Sequence, residues 1–491
     1  MNVSMIEAVG TTQNPDFDVA RLMAGLRRIL ATDSLLVEQE DLVPYECDGL
    51  TAYRQLPLLV ALPQTEAQVV AVLKLCHELR VPVVARGAGT GLSGGATPVK
   101  HGVVLSLAKF MRILDIDSVS RTARVQPGVR NLSISEAVAP YGLYYAPDPS
   151  SQIACTIGGN VAENSGGVHC LKYGLTVHNV LSVRVALIDG TVVEIGSGAL
   201  DSPGYDLLAL MIGSEGMLGI VLEATVKLTP KPLLAQVVMA SFDDVVKAGN
   251  AVADIISAGI IPAGLEMMDK PATHAVEDFV HAGYDLNAQA ILLAESDGTP
   301  EEVAEEIAAM CAVLEKSGAT DIRVSQNEAE RLKFWAGRKA AFPAVGRITP
   351  DYLCMDGTIP RKHLAHVLTR IAELSEEYHL RCANVFHAGD GNLHPLIMFD
   401  ANVEGEVERA TAYGGKILEL SVEVGGTITG EHGVGIEKVN QMCVQFSKEE
   451  LAAFHGVKAA FDEHTLLNPG KAVPTPRRCS EYRLTGTAKN G

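Results

Sequence analysis

The spacing of apolar residues predicts alternating short strands and amphipathic helices in the first half of the chain. Apolar residues recur at helical spacing from Asp18 to Leu30, which predicts a helix there. Thr65, followed three residues later by Gln68, predicts the capped start of a second helix. Runs rich in β-branched residues predict strands at 58–62, 81–85, 103–107 and 221–226 and a hairpin over 180–195. Gly-rich turns separate these elements.

The pattern changes after Thr229-Pro230-Lys231-Pro232, because prolines end strands and stiffen linkers. The later pattern predicts extended segments at 236–242 and 264–268, and helices at 243–258, 301–316 and 363–378. Such alternation favours an α+β domain with an antiparallel sheet. We therefore divide the sequence into a helical lead-in (1–55), a Gly-rich domain (56–232), an α+β domain (233–475) and a tail (476–491).

Composition and charge exclude several classes of protein. Hydrophobic residues make up 47% and charged residues 20% of the 491, which is a globular balance rather than a disordered one. The net charge of −19 argues against a nucleic-acid scaffold, since phosphate binding needs clustered Lys and Arg. No uncharged apolar run approaches the roughly 18 residues that a membrane-spanning helix needs. Glu7 and Asp16 precede the first arginine, Arg21, which disfavours a secretion signal.

The nine cysteines are scattered from Cys47 to Cys479 without a C-x-x-C pair. This spacing excludes a local iron–sulfur or structural zinc motif. It favours reduced thiols and a cytoplasmic location, and it leaves open attachment to the inner membrane through partner subunits.

The first Gly-rich loop, Arg86-Gly-Ala-Gly-Thr-Gly-Leu-Ser-Gly-Gly95, follows a predicted strand. Within it, Gly89-x-Gly91-x-x-Gly94 matches the dinucleotide pattern. A Rossmann site needs a helix to start at this point, but the next predicted element is a strand, so we reject that interpretation. A nest of backbone N–H groups that binds a diphosphate is the remaining hypothesis, and an ordinary flexible turn is the alternative.

Two further loops strengthen the hypothesis of a large bound ligand. The second runs from Pro147-Asp-Pro-Ser-Ser151 into Thr156-Ile-Gly-Gly-Asn-Val-Ala-Glu-Asn-Ser-Gly-Gly167, and the third is Gly213-Ser-Glu-Gly-Met-Leu-Gly-Ile220. Paired glycines permit close approach of the backbone to a flat ligand. Three loops of this kind in one domain predict a single large ligand, with three unrelated turns as the alternative.

A cluster of imidazoles and carboxylates carries the strongest chemical signal. His387-Ala-Gly-Asp-Gly-Asn-Leu-His394 places two histidines around a Gly-rich turn, and Gly430-Glu-His-Gly433 adds Glu431 and His432. Two His and one Glu form the N, N, O donor set of a catalytic divalent-metal site. The alternative is that each imidazole is simply a hydrogen-bonded buried or surface group. The zinc-peptidase motif H-E-x-x-H is absent.

The Gly-rich loops resemble the FAD-binding domain of the vanillyl-alcohol oxidase and p-cresol methylhydroxylase (PCMH) flavoproteins. The resemblance implies a PCMH-type FAD-binding domain followed by a substrate (cap) domain. Some members attach the flavin to a His in the first loop; this chain has Thr90 there, so non-covalent FAD is expected. The implied flavin-binding residues are Arg86, Gly87, Gly89, Thr90, Gly91, Pro149, Thr156, Gly158, Gly159, Asn164, Gly166, Glu215, Ile220 and Asn468.

Residues 233–475 resemble the FAD-linked oxidase C-terminal domain of the D-2-hydroxyacid dehydrogenases. The resemblance assigns His387, His394 and Glu431 to a divalent metal, with zinc first and manganese or iron as alternatives, and His432 to proton transfer. Segments such as Cys354-Met-Asp-Gly-Thr-Ile-Pro360 and Phe334-Trp-Ala-Gly-Arg338 extend the likeness over essentially the whole chain. Arg338 is the candidate for the substrate carboxylate, because guanidinium pairs with carboxylate in bidentate fashion. A solvated helix face is the alternative for this arginine.

The expected reaction is the flavin-dependent oxidation of a small 2-hydroxy acid to the 2-oxo acid. Members acting on longer diacids often carry Asn two residues after the second metal His, whereas Leu396 stands there in this chain. Since an unpaired buried charge is costly, glycolate or D-lactate is favoured over 2-hydroxyglutarate.

The resemblance also implies partners, namely a second flavin-domain subunit and an iron–sulfur subunit that take the electrons onward. A stand-alone D-lactate dehydrogenase of the same fold is the first alternative function. A zinc hydrolase and a catalytically silent scaffold subunit are alternatives of other classes.

Overall fold

The computed structural model describes residues 16–199 and 203–487, with the side chains of 483–487 left aside. The predicted lead-in and tail therefore lie partly outside the described residues. The strands are, in chain order, β1 (Leu35–Leu36), β2 (Leu59–Ala61), β3 (Val83–Arg86), β4 (Val103–Ser106), β5 (Ile113–Asp117), β6 (Thr122–Val125), β7 (Leu143–Tyr144), β8 (Val180–Ala186), β9 (Val192–Gly196), β10 (Ile220–Lys227), β11 (Thr229–Pro230), β12 (Leu234–Phe242), β13 (Gly264–Asp269), β14 (Ala290–Gly298), β15 (Asp321–Val324), β16 (Asp351–Cys354), β17 (Cys382–Phe386) and β18 (Pro395–Phe399).

The α-helices are α1 (Val19–Ile29), α2 (Gln39–Leu42), α3 (Glu66–Leu79), α4 (Asn131–Val138), α5 (Ile157–Glu163), α6 (Cys170–Tyr173), α7 (Thr176–Asn179), α8 (Leu207–Met211), α9 (Val245–Ser257), α10 (Lys270–Val280), α11 (Pro300–Lys316), α12 (Glu328–Lys339), α13 (Ala341–Val345), α14 (Leu364–Tyr378), α15 (Glu406–Glu423), α16 (Val439–Gln445), α17 (Lys448–Phe461) and α18 (Pro476–Thr487). Short 3₁₀ turns lie at 32–34, 43–45, 139–141 and 361–363. Within the described ranges, none of these helices is long and apolar enough to cross a bilayer.

The chain forms two compact units. The first contains residues up to Ser165, then 175–230, and then the segment from His432 onward; the second contains 166–174 and 231–431. The first unit holds a four-stranded sheet in the order β1-β2-β4-β3, a five-stranded antiparallel sheet in the order β5-β6-β10-β8-β9, and the pair β11-β7. In the four-stranded sheet β4 runs parallel to both β2 and β3.

Local signals determine where the helices of the first unit begin. The Asp18 carboxylate accepts the N–H of Arg21 at the start of α1. Thr65 and Gln68 form the predicted capping box at the start of α3, because each side chain accepts a backbone N–H of the other. The inward faces of both helices pack into one core with β2, β3 and β4. These predictions are confirmed.

The segment that follows His432 belongs to the first unit, unlike in the predicted division, which placed 432–475 in the second domain. Leu467 bridges to Val83 of β3, and the Asn468 N–H donates to the Val83 carbonyl (2.8 Å). The buried ammonium of Lys458 donates to the carbonyls of Met217 (2.6 Å) and Leu467 (2.8 Å). These hydrogen bonds join residues far apart in the chain, so the spacing of residue types along the sequence does not predict them.

The second unit is built on a seven-stranded antiparallel sheet in the order β15-β12-β14-β13-β17-β18-β16. Nearly every residue of the central strands β13 and β14 is buried. Apolar residues of these strands and of α10 and α12 share one core. The predicted α+β architecture with an antiparallel sheet is confirmed.

One pair of cysteines forms a disulfide that the sequence analysis did not predict. Cys443 of α16 and Cys479 of α18 form a disulfide, and the other seven cysteines are free. The prediction of reduced thiols throughout is therefore wrong for this pair. The two residues are 36 positions apart, so only the packing of α16 against α18 brings them together.

Candidate active site

The three Gly-rich loops of the first unit converge. A Cβ on Gly87 would lie 2.3 Å from the Thr156 Oγ1, so the first loop touches the second. The Glu215 N–H donates to the Ala162 carbonyl (2.8 Å), which joins the third loop to the second. The Asn468 amide donates to the carbonyls of Gly95 (3.0 Å) and Glu215 (2.7 Å), so the C-terminal segment ties the first and third loops together. The prediction that these loops serve one site agrees with this geometry.

The converged loops leave polar groups without partners. Among the described residues, the buried hydroxyl oxygens of Ser93, Thr97 and Thr156 and the Oδ1 of Asn468 have no hydrogen-bond partner. Gly89 adopts φ +71°, where a side chain would be strained, and a Cβ there would strike the Arg86 guanidinium. Buried polar atoms without partners are rare unless a ligand supplies them. The loops therefore fit a ligand with many polar atoms, such as a dinucleotide.

Three of the predicted flavin residues have distinct structural positions. Ile220 begins β10 and its side chain is buried in the apolar core with Leu222. Gly166 belongs to the second unit. The Glu215 carboxylate accepts the backbone N–H groups of Val434 and Gly435, both at 2.7 Å, and so holds the turn that follows His432.

A group of buried charges lies beside the loops. A Cβ on Gly433 would lie 2.1 Å from the Glu163 Oε2 and 3.1 Å from the Glu215 Oε1, so both carboxylates border the same glycine. Burial and the nearby Glu215 raise the pKa of Glu163 well above its usual value.

A buried ammonium group lies near these carboxylates. Burial lowers the pKa of Lys471 to about 7, although Asp48, Glu215 and Glu163 oppose this shift. The ammonium of Lys471 donates to the carbonyls of Gly95 (2.8 Å) and Thr97 (2.5 Å).

In the second unit, His387, His394 and Glu431 meet at one point. The Glu431 Oε1 lies 3.2 Å from the His387 Nε2 and 2.9 Å from the His394 Nε2. The three candidate ligand atoms lie within 4.8 Å of one another, and both histidines are almost fully buried. The turn at Gly389-Asp390-Gly391, where Gly391 has φ +84°, lets the two histidines converge as predicted.

Each histidine uses its other ring nitrogen for an acceptor. The His387 Nδ1 lies 2.7 Å from the Glu266 Oε1, and the His394 Nδ1 lies 3.4 Å from the Met355 carbonyl. A cation bound here would replace any proton on Nε2, and an N–H kept at Nδ1 of each ring would leave two Nε2 lone pairs and one carboxylate oxygen to hold it. Such a convergence of donors favours a cation between them, and the partner at Nδ1 is the arrangement common around metal-bound histidines.

The electrostatics of this cluster follow from burial and mutual contact. Burial alone would raise the pKa of Glu431, but the two histidines outweigh it and hold that pKa well below its usual range. Burial would likewise lower the pKa of His387, but Glu266 and Glu431 hold it well above the ordinary value.

The Arg338 side chain is 2% exposed, so the alternative of a solvated helix face is wrong. Its Nε donates to the Glu266 Oε2 (2.6 Å). Its Nη2 is buried and has no hydrogen-bond partner among the described residues. A buried guanidinium nitrogen without a partner suits an anionic ligand.

The site contains residues that the sequence analysis did not single out as functional. Glu266 joins Arg338 to His387, and Asp356 accepts the backbone N–H groups of Gly430 and Glu431. A charged residue inside the apolar run Gly264-Leu-Glu-Met-Met268 is a signal that could have found Glu266. Asp356 lies in a segment that the resemblance had matched without assigning it a role.

Comparison with known proteins identifies the class as an FAD-dependent oxidoreductase. A family model described as an FAD binding domain matches residues 57–196, and one described as FAD linked oxidases, C-terminal domain, matches residues 231–472. The chain belongs to the FAD-linked oxidases. It is 64% identical over 468 residues to the "Glycolate oxidase subunit GlcD" of Escherichia coli (strain K12), covering 95% of this chain and 94% of that one.

More distant relatives agree with this class, and solved structures share the fold. The "Glycolate oxidase subunit GlcD" of Bacillus subtilis is 41% identical (87% of this chain, 91% of that one), and a "D-lactate dehydrogenase" of Anaerostipes hadrus is 35% identical (84% and 89%). A crystal structure of p-cresol methylhydroxylase matches with a TM-score of 0.77 at 18% identity, covering 93% of this chain and 97% of that one. The 4-ethylphenol oxidase from Gulosibacter chungangensis matches with a TM-score of 0.77 at 16% identity (95% and 100%). These likenesses confirm the predicted PCMH-type fold.

Proposed function

We propose that this protein oxidises glycolate to glyoxylate with non-covalently bound FAD and a divalent metal ion, and passes the electrons to partner subunits. The observation that carries the proposal is the convergence of two Nε2 atoms and one carboxylate oxygen beside a buried arginine with a free Nη2. The name of the relative at 64% identity supports the choice of glycolate.

The loops of the first unit would hold the FAD. Backbone N–H groups of the first loop, at Gly87 to Gly91, suit the diphosphate, and the unpartnered hydroxyls of Ser93, Thr97 and Thr156 suit further polar atoms of the ligand. When bound, FAD supplies the acceptor for the hydride from the α-carbon of the substrate. Thr90 replaces the histidine to which some relatives attach flavin, which supports non-covalent binding.

His387, His394 and Glu431 would hold the metal ion, for which zinc is our first choice and manganese or iron the alternatives. When bound, the ion supplies Lewis-acid polarisation of the substrate hydroxyl. Arg338 orients the substrate by pairing its Nη2 with the carboxylate. The adjacent Glu266 keeps this guanidinium in place.

His432 takes the hydroxyl proton while the hydride leaves the α-carbon. An imidazole is suited to this role near neutral pH. Its position in the chain, directly after the metal ligand Glu431, supports the assignment. The hydride carries both electrons away from the α-carbon and the hydroxyl proton goes to His432, so the product is the 2-oxo acid.

The electrons must then leave the flavin. The relatives named as glycolate oxidase subunits support a multi-subunit assembly. We propose as partners a second flavin-domain subunit and an iron–sulfur subunit, with a cytoplasmic location and contact with the inner membrane through those partners.

The test is anaerobic mixing of the FAD-loaded protein with glycolate while flavin absorbance is followed. Bleaching in the presence of glycolate, lost after treatment with a chelator and restored by zinc or manganese, is the expected result. Oxidised flavin that persists with glycolate would refute the substrate. Equal bleaching before and after metal removal would refute the role of the metal.

D-lactate is a second candidate substrate, favoured by the 35% identical D-lactate dehydrogenase. The same experiment with D-lactate distinguishes the two substrates. The acid with the larger second-order rate constant for flavin reduction is the preferred one.

A further inference from the structure

The carboxylate of Glu266 occupies a position between the arginine and a metal ligand. Its Oε2 accepts from the Arg338 Nε (2.6 Å) and its Oε1 lies 2.7 Å from the His387 Nδ1. The three residues are between 1% and 4% exposed. Both oxygens of this carboxylate are therefore used, one for each partner.

The strand register creates this arrangement. β13 pairs with β17 in antiparallel register, with Met267 opposite Phe386 and Met268 opposite Val385. Continuing this register by one residue places Glu266 beside His387 at the end of β17. The Leu265 carbonyl accepts the Gly389 N–H (2.9 Å), which holds the turn after His387 against the same strand.

We infer that Glu266 is a positioning residue that selects the metal-binding tautomer of His387 and at the same time orients Arg338 toward the substrate carboxylate. The inference rests on the proposed function. An ionised carboxylate can accept hydrogen bonds but cannot donate them. Glu266 therefore requires an N–H at the Nδ1 of His387, and this leaves the Nε2 lone pair for the ion. The same charge keeps the guanidinium of Arg338 in the buried site.

Replacement by glutamine exposes this double role. The amide offers one oxygen and one NH₂ group, while both present partners are donors. If the oxygen accepts from Arg338, the NH₂ faces His387, whose Nδ1 must then become the acceptor. The proton moves to Nε2, where it blocks the metal. If the oxygen accepts from His387, two donors oppose each other at Arg338.

The second unit contains a matched control. Glu295 lies on the neighbouring strand β14, is 2% exposed, and accepts from Arg331 (2.8 Å), Trp335 (2.5 Å) and a ring nitrogen of His169 (3.2 Å). It is thus also a buried carboxylate with an arginine and a histidine, but none of its partners is a candidate metal ligand. The substitution E295Q changes the same group in a similar environment.

The experiment measures zinc affinity of the FAD-loaded full chain by competition with a chromophoric chelator, for wild type, E266Q and E295Q. We expect E266Q to bind zinc about 10- to 100-fold more weakly, and E295Q to stay within about twofold of the wild type. Nitrogen chemical shifts of His387 should change from the Nδ1–H to the Nε2–H form in E266Q. The KM for glycolate should rise in E266Q by about tenfold or more, because Arg338 loses its orientation.

Two results would overturn the inference and separate it from the proposed function. If E266Q has the zinc affinity and the glycolate KM of the wild type, while the wild type itself binds zinc, the role of Glu266 is refuted and the proposed function is not. A wild-type protein that binds no zinc refutes the metal in the proposed function, and this inference with it. If E266Q does not fold, the shorter carboxylate of Glu266→Asp is used instead. It should bind zinc at least about threefold more weakly, and unchanged affinity overturns the inference.

Discussion

The carboxylate of Asp356 accepts the backbone N–H of Glu431 (3.2 Å) from a position with no solvent exposure. The same group accepts the Thr429 hydroxyl (2.5 Å), the Gly430 N–H (3.1 Å) and the Asn392 side-chain amide (2.9 Å). Asn392 lies in the turn between the two histidines. One buried carboxylate thus fixes the two segments that carry the three candidate metal ligands.

Asp356→Asn should therefore weaken metal binding. Its amide group would oppose backbone N–H donors, so the segment at Glu431 would lose its alignment, and we expect zinc affinity to fall about 10- to 100-fold. FAD content should not change. Chelator competition and the flavin absorbance of the purified variant measure both quantities. Asp351→Asn, at the start of the preceding strand β16, is the control, since that half-buried carboxylate accepts the backbone N–H of Ala401 (3.0 Å) away from the ligands. Equal zinc affinity in D356N and D351N would contradict the prediction.

His432→Ala should slow flavin reduction by glycolate about 10²- to 10⁴-fold, the usual contribution of a general base. Stopped-flow absorbance under anaerobic conditions measures the rate. FAD content and zinc affinity should remain near those of the wild type, because the proposal gives His432 no part in binding FAD or the metal ion. Undiminished flavin reduction would instead support a catalytically silent role for this residue.

Substrate length should be limited by the apolar residue two positions after the second histidine. Leu396 is completely buried in the core of the second unit, and Phe342 packs against the same core. A distal carboxylate placed there would be unpaired, so we expect kcat/KM for glycolate to exceed that for 2-hydroxyglutarate by about 100-fold or more. Steady-state kinetics with an artificial electron acceptor measure the ratio. A ratio below one would contradict this account.

Asp269 should make thermal stability depend on pH. Burial raises its pKa to about 6, against the hydrogen bonds from Ala272 and Asn384. The native state then binds more protons than the unfolded state between about pH 4 and 6, where the unfolded carboxyl titrates near 3.9. The stability contribution of this group is complete below that window and is lost as pH rises through 6.

Asp269→Asn removes this titration and keeps the cap of α10, since an asparagine oxygen can accept the Ala272 N–H. Its new NH₂ can donate to the Asn384 Oδ1, which has no partner in the described structure. We expect the Tm difference, variant minus wild type, to be larger at pH 7.5 than at pH 4.5. The corresponding change in the free energy of unfolding is about 2–3 kcal/mol. Scanning calorimetry at both pH values tests this. A Tm difference that does not vary with pH would rule out the raised pKa.

The disulfide between Cys443 and Cys479 should stabilise the C-terminal helices. Closing a loop of 36 residues is worth about 3–4 kcal/mol by the chain-entropy model. Thiol titration of the denatured protein should give seven groups before reduction and nine after it, from the nine cysteines of the chain. Cys443→Ser should lower the Tm, while Cys311→Ser, at a free half-buried thiol, should not. Nine titratable thiols without reductant would disprove the bond.

Local signals allowed much of the fold to be predicted. The helix after Asp18, the capping box at Thr65 and the hairpin turning at Asp189-Gly190 all form where the sequence places them. Each depends on contacts within a few residues, so periodicity and capping rules suffice. The candidate metal ligands were likewise visible, because a Gly-rich turn between His387 and His394 lets them converge.

Non-local pairing decided the rest. Glu266 reaches His387 only through the register of two strands that are about 120 residues apart in the chain, and hydrogen bonds of Lys458 and Asn468 return the C-terminal segment to the first unit. Cys443 meets Cys479 through helix packing. Short-range patterns of residue types thus specify the local elements and the chemical groups available for a flavin and a metal. Which buried charges support those groups depends on strand register and long-range hydrogen bonds, because these join residues that lie far apart in the chain.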